Sequence, residues 1–137
     1  MTFEFVEPAC SITTGTANQT VNLPKASVAD FAATGTTAKP TNFTISLENC
    51  VTQTAVSMQL DGSTVAPTVL SSSGSAQGVG IQLVWNGAPV TLGQGLDIGN
   101  VGSNTTMDIP MTAQYYRTGA MTGGTVVSTA TITMSYE

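Results

Sequence analysis

Apolar residues recur at every second position along much of this chain. In residues 124–137 (GTVVSTATITMSYE) the even positions carry Val126, Ala130, Ile132, Met134 and Tyr136, and the odd ones mostly threonine and serine. A period of two marks a strand with one buried face. Residues 42–50 repeat it, with Phe43, Ile45 and Leu47 inward and Thr44, Ser46 and Glu48 outward. So do residues 54–61 (Val56, Met58, Leu60), 79–85 (Val79, Ile81, Leu83, Trp85) and 105–115 (Met107, Ile109, Met111, Ala113, Tyr115). Residues 2–12 predict a first strand kinked at Pro8, with Phe3 and Phe5 on one face and Cys10 and Ile12 resuming the inward register. A short strand is expected over 19–23, with Val21 and Leu23 inward, ended by Pro24.

The stretches between are punctuated. Asp61-Gly62 predicts a tight turn, and Asn86-Gly87 is the strongest hairpin signal, with a return strand over 89–92. Residues 25–40 have weak periodicity. They predict a loop with a short helical turn that carries Val28 and Phe31, the latter plugging one end of the core. Residues 63–78 predict a weak strand and a long loop, the glycine-rich 93–104 a loop, and 118–124 a turn-rich connector. No segment has a helical period. About seven short alternating strands imply a two-sheet all-β sandwich, with an immunoglobulin-like topology as the leading expectation. Residues 1–137 suit a single domain with one core. Trp85 follows both cysteines, so the Cys…Trp…Cys order of antibody domains is absent and the relation is one of architecture.

Composition narrows the function classes. Hydrophobic residues make up 41% of the chain and charged ones 8%, against about 25% in typical soluble domains. The polar surface is therefore built from Ser, Thr, Asn and Gln, which suits an extracellular β-protein. The net charge is −5, and the basic residues Lys25, Lys39 and Arg117 stand singly. That argues against nucleic-acid binding and against attraction to anionic lipid. No run of about 18 apolar residues and no signal peptide occur, so no direct membrane insertion is expected. The two cysteines, Cys10 and Cys50, lack the partners for a zinc site and the CxxC spacing of a redox motif. A disulfide fits the secreted composition, with two separate buried thiols as the alternative. With no histidine a Ser-His-Asp triad is impossible, and Asp61, Asp97 and Asp108 read as turn or surface residues. No enzyme activity, cofactor or metal is expected.

Several pieces, in order, carry a resemblance. PACSI, QTVNLPK and FTISLENC stand in the first half, GVGIQL (78–83) and AQYYRTG (113–119) in the second, then Gly124, the terminal alternation and the penultimate Tyr136. Together they resemble the subunits of bacterial chaperone–usher pili, of the type 1 pilin kind. The resemblance implies a Cys10–Cys50 disulfide from the first strand to the end of the third. It also implies an incomplete immunoglobulin-like sandwich that lacks its final strand. The resulting groove would be lined by Val126, Ala130, Ile132, Met134 and Tyr136, with Phe3 and Phe5 as its other wall. A periplasmic chaperone fills that groove first, and the N-terminal extension of a neighbouring subunit replaces it, a case of β-augmentation. An outer-membrane usher is the third implied partner, and Glu137 is a natural anchor for basic residues of the chaperone. The expected location is the extracellular fimbrium, reached through the periplasm.

Such subunits carry an N-terminal extension ahead of the first strand, whereas here only Met1 precedes it. The donor extension is therefore expected to be absent, either removed by design or because the chain is the C-terminal pilin domain of a two-domain tip adhesin. The competing class is a self-sufficient carbohydrate-binding sandwich, in which Trp85 and the Tyr115–Tyr116 pair would stack on sugars.

Overall fold

In a computed structural model of the chain, the structure describes residues 10–12 and 23–136. The predicted 19–23 strand and the first strand's Phe3 and Phe5 lie outside them, apart from Leu23, which is half-buried and not in a strand. Among the described residues the chain forms β1 (Ser11–Ile12), β2 (Thr37–Glu48), β3 (Ala55–Asp61), β4 (Thr64–Ala66), β5 (Val69–Leu70), β6 (Gln77–Trp85), β7 (Ala88–Pro89), β8 (Gly95–Asn100), β9 (Met107–Thr122) and β10 (Thr131–Tyr136). The larger sheet runs β1-β2-β9-β6-β5-β4, with β7 also paired to β6; the smaller runs β10-β3-β8. The result is the expected all-β sandwich.

The core lies where the inward positions of both sheets meet. Ile45 and Leu47 of β2, Ile81 and Leu83 of β6, and Ile109, Met111 and Ala113 of β9 come from the larger sheet. Val56, Met58 and Leu60 of β3 face them from the smaller one, each 1–2% exposed. Ladder partners reinforce the pattern, with Ile45 opposite Ile109, Phe43 opposite Met111 and Leu83 opposite Ala113. Each fully buried Val, Leu, Ile or Met side chain among them contributes roughly 1.5–3 kcal/mol by leaving water. Cys10 and Cys50 form a disulfide between the start of β1 and the turn after β2, and both are buried.

The two-residue loop Asn86-Gly87 closes the β6–β7 hairpin with both residues at positive φ, 52° and 79°. Positive φ at both positions gives the turn the twist that its strands need. Gln82 is buried among apolar neighbours, yet it accepts from Gln114 Nε2 (2.7 Å) and donates to Thr68 Oγ1 (3.1 Å). Its polar atoms are therefore satisfied.

Several expectations need correction. β2 begins at Thr37, inside the segment read as loop; Lys39 at φ 54° and a register shift between Ala38 and Thr41 break the alternation there. Within that segment the helical turn is a 3-10 turn over Val28–Asp30, capped by Ser27; Phe31 is buried as expected, but Val28 is 47% exposed. The glycine-rich stretch read as loop contains β8, an edge strand whose Leu96 and Ile98 pack on the core. β9 continues to Thr122, through the expected connector. β4 and β5 form a small hairpin where a weak strand was expected. The connection at Gly62-Ser63 leads from the smaller sheet into the larger one.

Candidate functional site

The open side of the smaller sheet is the candidate site. β10 pairs antiparallel with β3, Ile132 opposite Leu60, Met134 opposite Met58 and Tyr136 opposite Val56. Among the described residues β10 has no strand on its other edge. Ile132, Met134 and Tyr136 pack on the core but are only half-buried, while Thr131, Thr133 and Ser135 face solvent. Burial pushes the Tyr136 phenol up from its ordinary value of 10.0. The backbone beside these side chains has the spacing and polarity to hydrogen-bond one more strand.

The sequence-predicted groove residues divide into three sets. Ile132, Met134 and Tyr136 share the inward face of β10. Val126 and Ala130 are half-buried against the same core, but in an extended crossover that precedes β10. Phe3, Phe5 and Glu137 lie outside the described residues. Cys10 and Cys50 are joined.

Sequence reasoning missed what holds the crossover. Residues 124–128 lie along the serine-rich loop between β5 and β6, hydrogen-bonded through Ser71, Ser72, Ser73, Ser75 and Ala76. Nothing in the SSSGS pattern signals this, because hydroxyl-bearing loops have no period. It also missed Arg117, whose guanidinium donates to the Phe31 and Gly119 carbonyls and ties the 23–36 segment to β9. Tyr115 stacks edge-to-face on Phe31 at 6.5 Å and donates to the Pro24 carbonyl (3.1 Å), and burial raises its pKa too.

Other chemistry is dispersed. Asp97 accepts from Ser57 Oγ and Asp61 from Gln59 Nε2. No three metal-ligating side chains come together among the described residues. Trp85 and Leu96 line a shallow pocket of about 250 Å³ beside the β6–β7 hairpin, while Tyr115 is engaged with Phe31. No helix among the described residues is long and apolar enough to cross a membrane.

Comparison with known proteins places this geometry. The sequence profile of the family described as "Fimbrial protein" matches residues 1–137. The type-1 fimbrial protein A chain of Escherichia coli K12 is 32% identical over 145 residues, covering 98% of this chain and 80% of that protein. The F17 fimbrial protein of Escherichia coli is 36% identical over 149 residues, covering 96% and 82%. Among solved structures, the P pilus rod subunit PapA superposes with a TM-score of 0.82 at 20% identity, covering 95% of this chain and 100% of PapA. A subunit from the structure of a chaperone–usher pilus gives 0.78 at 20% identity, covering 100% and 93%. At that identity the structural matches speak for the fold, which is the incomplete immunoglobulin-like sandwich of pilus subunits.

Proposed function

The chain belongs to the fimbrial protein family and is a structural subunit of chaperone–usher fimbriae, extracellular fibres built from such subunits; on that premise we propose that it assembles by accepting a donor β-strand along β10. The observation that carries the reading is the unequal burial across the β10–β3 ladder. Val56, Met58 and Leu60 are sealed, and the residues opposite them are not. A strand laid on the free edge of β10 would bond to its backbone and seat alternate side chains over Ile132, Met134 and Tyr136. Val126 and Ala130 would extend the same floor, and Phe3 and Phe5 would form the second wall.

The donors follow from the assembly route. A periplasmic chaperone lends a strand first, with Glu137 as an anchor for its basic residues. The extension of a neighbouring subunit then takes its place at the outer-membrane usher. The work done is strand exchange without turnover, so no catalytic group is required.

The test is a thermal melt of the oxidised chain with and without a peptide of about 15 residues with alternating hydrophobics. A ligand that binds only the folded state adds about 4 kcal/mol at a thousand times its dissociation constant. A large, slowly reversing rise in Tm supports an acceptor groove. A high Tm without any shift would mean a closed sandwich and would end the proposal.

A further inference from the structure

The crossover from β9 to β10 is held by an unusual ladder. Thr125 and Val127 accept through their carbonyls from backbone N–H groups, those of Ala76 (2.9 Å) and Ser73 (2.8 Å). Their own N–H groups have no carbonyl opposite them. Thr125 N–H donates to Ser75 Oγ (2.9 Å) and Val127 N–H to Ser72 Oγ (3.1 Å). Two serine hydroxyls therefore stand in for the carbonyls of an antiparallel strand. Ser75 N–H donates in turn to Thr125 Oγ1 (3.0 Å), and Ser128 Oγ donates to the Ser71 carbonyl (2.7 Å). The approach is too close for side chains at two points. A Cβ on Gly74 would collide with the Thr125 carbonyl, and one on Gly124, at φ 150°, with Ser75 Oγ.

This clasp sits immediately before the acceptor strand. β10 is six residues long and, among the described residues, bonded on one edge only, to β3. A slip of one residue in the crossover would turn Ile132, Met134 and Tyr136 from the core to solvent. We propose that Ser72 and Ser75 are positioning residues for donor-strand capture, because their hydroxyls fix where the chain enters β10 and hence which face it presents. The proposal rests on the acceptor reading above. The two serines touch no donor; they act through Thr125 and Val127 on a strand that must be ordered before a donor arrives.

The experiment has two readouts on the oxidised full chain. Hydrogen exchange of the β10 amides, measured without a donor, tests the clasp alone. In a Ser72→Ala/Ser75→Ala variant these amides should exchange at least about tenfold faster, because the two hydroxyls together bond the Gly74, Thr125 and Val127 N–H groups and Thr125 Oγ1. The amides of β6 and β9 should keep their protection. Association of the alternating-hydrophobic peptide should slow by a similar factor, and Ser72→Thr/Ser75→Thr, which keeps both acceptors, should restore it. Ser73→Ala, whose hydroxyl is 3.4 Å from the Val127 carbonyl, should behave as the parent. Unchanged β10 exchange in the double alanine variant overturns the proposal, and so does equal loss of protection in β6 and β9. If the double variant does not fold, the single variants and the threonine rescue decide by the same criteria. Failure of the parent chain to take the peptide would overturn the acceptor reading, while β10 exchange would still judge the clasp.

Discussion

Met134 lies directly opposite Met58 in the β10–β3 ladder, and the two side chains are buried to different depths. Met58 is 1% exposed, whereas Met134 is only half-covered. Same residue type, same register and adjacent strands leave the neighbourhood as the difference. Met58 has a strand on each side, and Met134 has one on a single side among the described residues. In the proposed assembly, the cover that Met134 lacks is the cover a donor would supply.

The two methionines should therefore respond differently to truncation. Met58→Ala should destabilise the free chain by about 2–5 kcal/mol, as removal of a fully buried side chain does. Met134→Ala should cost the free chain clearly less, with the remainder appearing as weakened donor binding. Denaturant melts of both variants, with and without the donor-like peptide, measure the split.

A charge in the groove should block capture. Ile132→Asp would have to bury an unpaired carboxylate beneath the donor, which is strongly unfavourable. Thr133→Asp, on the solvent face of β10, should be tolerated. A pull-down with immobilised donor peptide compares them, and equal retention of both variants would refute the groove assignment.

Reduction should weaken the fold substantially. The bridge closes a loop with a sequence separation of 40, worth about 4 kcal/mol in the chain-entropy account. Urea melts with and without reductant should show a shift of that order, matched by a Cys10→Ala/Cys50→Ala variant under oxidising conditions.

The hairpin offers a test of backbone conformation free of packing. Gly87 is at φ 79°, and a Cβ built there would meet nothing within 4 Å. Gly87→Ala should therefore cost about 1–2 kcal/mol for the left-handed conformation alone. Asn86→Gly should be close to neutral. An equilibrium melt reading no loss in Gly87→Ala would mean that this turn is not the one described.

Alkaline pH should destabilise the chain. Burial raises the pKa of Tyr115 and Tyr136, so between the unfolded and folded values the folded chain holds protons that the unfolded chain has lost. Stability is then fully present below about pH 10 and falls as pH rises through the folded values. Tyr136→Phe should make the fall shallower, read as Tm against pH. Donor capture should raise the Tyr136 value further, read by phenolate absorbance.

Alternation was legible wherever one face of a strand meets the core and the other meets water. Val56, Met58 and Leu60 placed β3 correctly, as Ile109, Met111 and Ala113 placed the middle of β9. It failed where geometry, not hydrophobicity, defines the strand. β8 is an edge strand interrupted by Gly99 at φ 145° with a register shift opposite, and the start of β2 contains Lys39 at positive φ. Of the candidate site, the inward face of β10 was readable from Ile132, Met134 and Tyr136. The end of ladder pairing before Thr131 was not, because Val126 and Ala130 keep the period while the neighbouring Thr125, Val127 and Ser128 bond to the loop over 71–76.

The Cys10–Cys50 bridge also has a mechanical meaning. Tension applied to the two ends of the chain passes from Cys10 to Cys50 through sulfur, and residues 11–49 carry none of it. At roughly 3.4 Å per residue, that spares about 130 Å of slack that an uncrosslinked fold could release. β2 lies within this unloaded stretch, so its ladder with β9 is not peeled from its own ends. Reduction would let that stretch of chain pay out under the same tension.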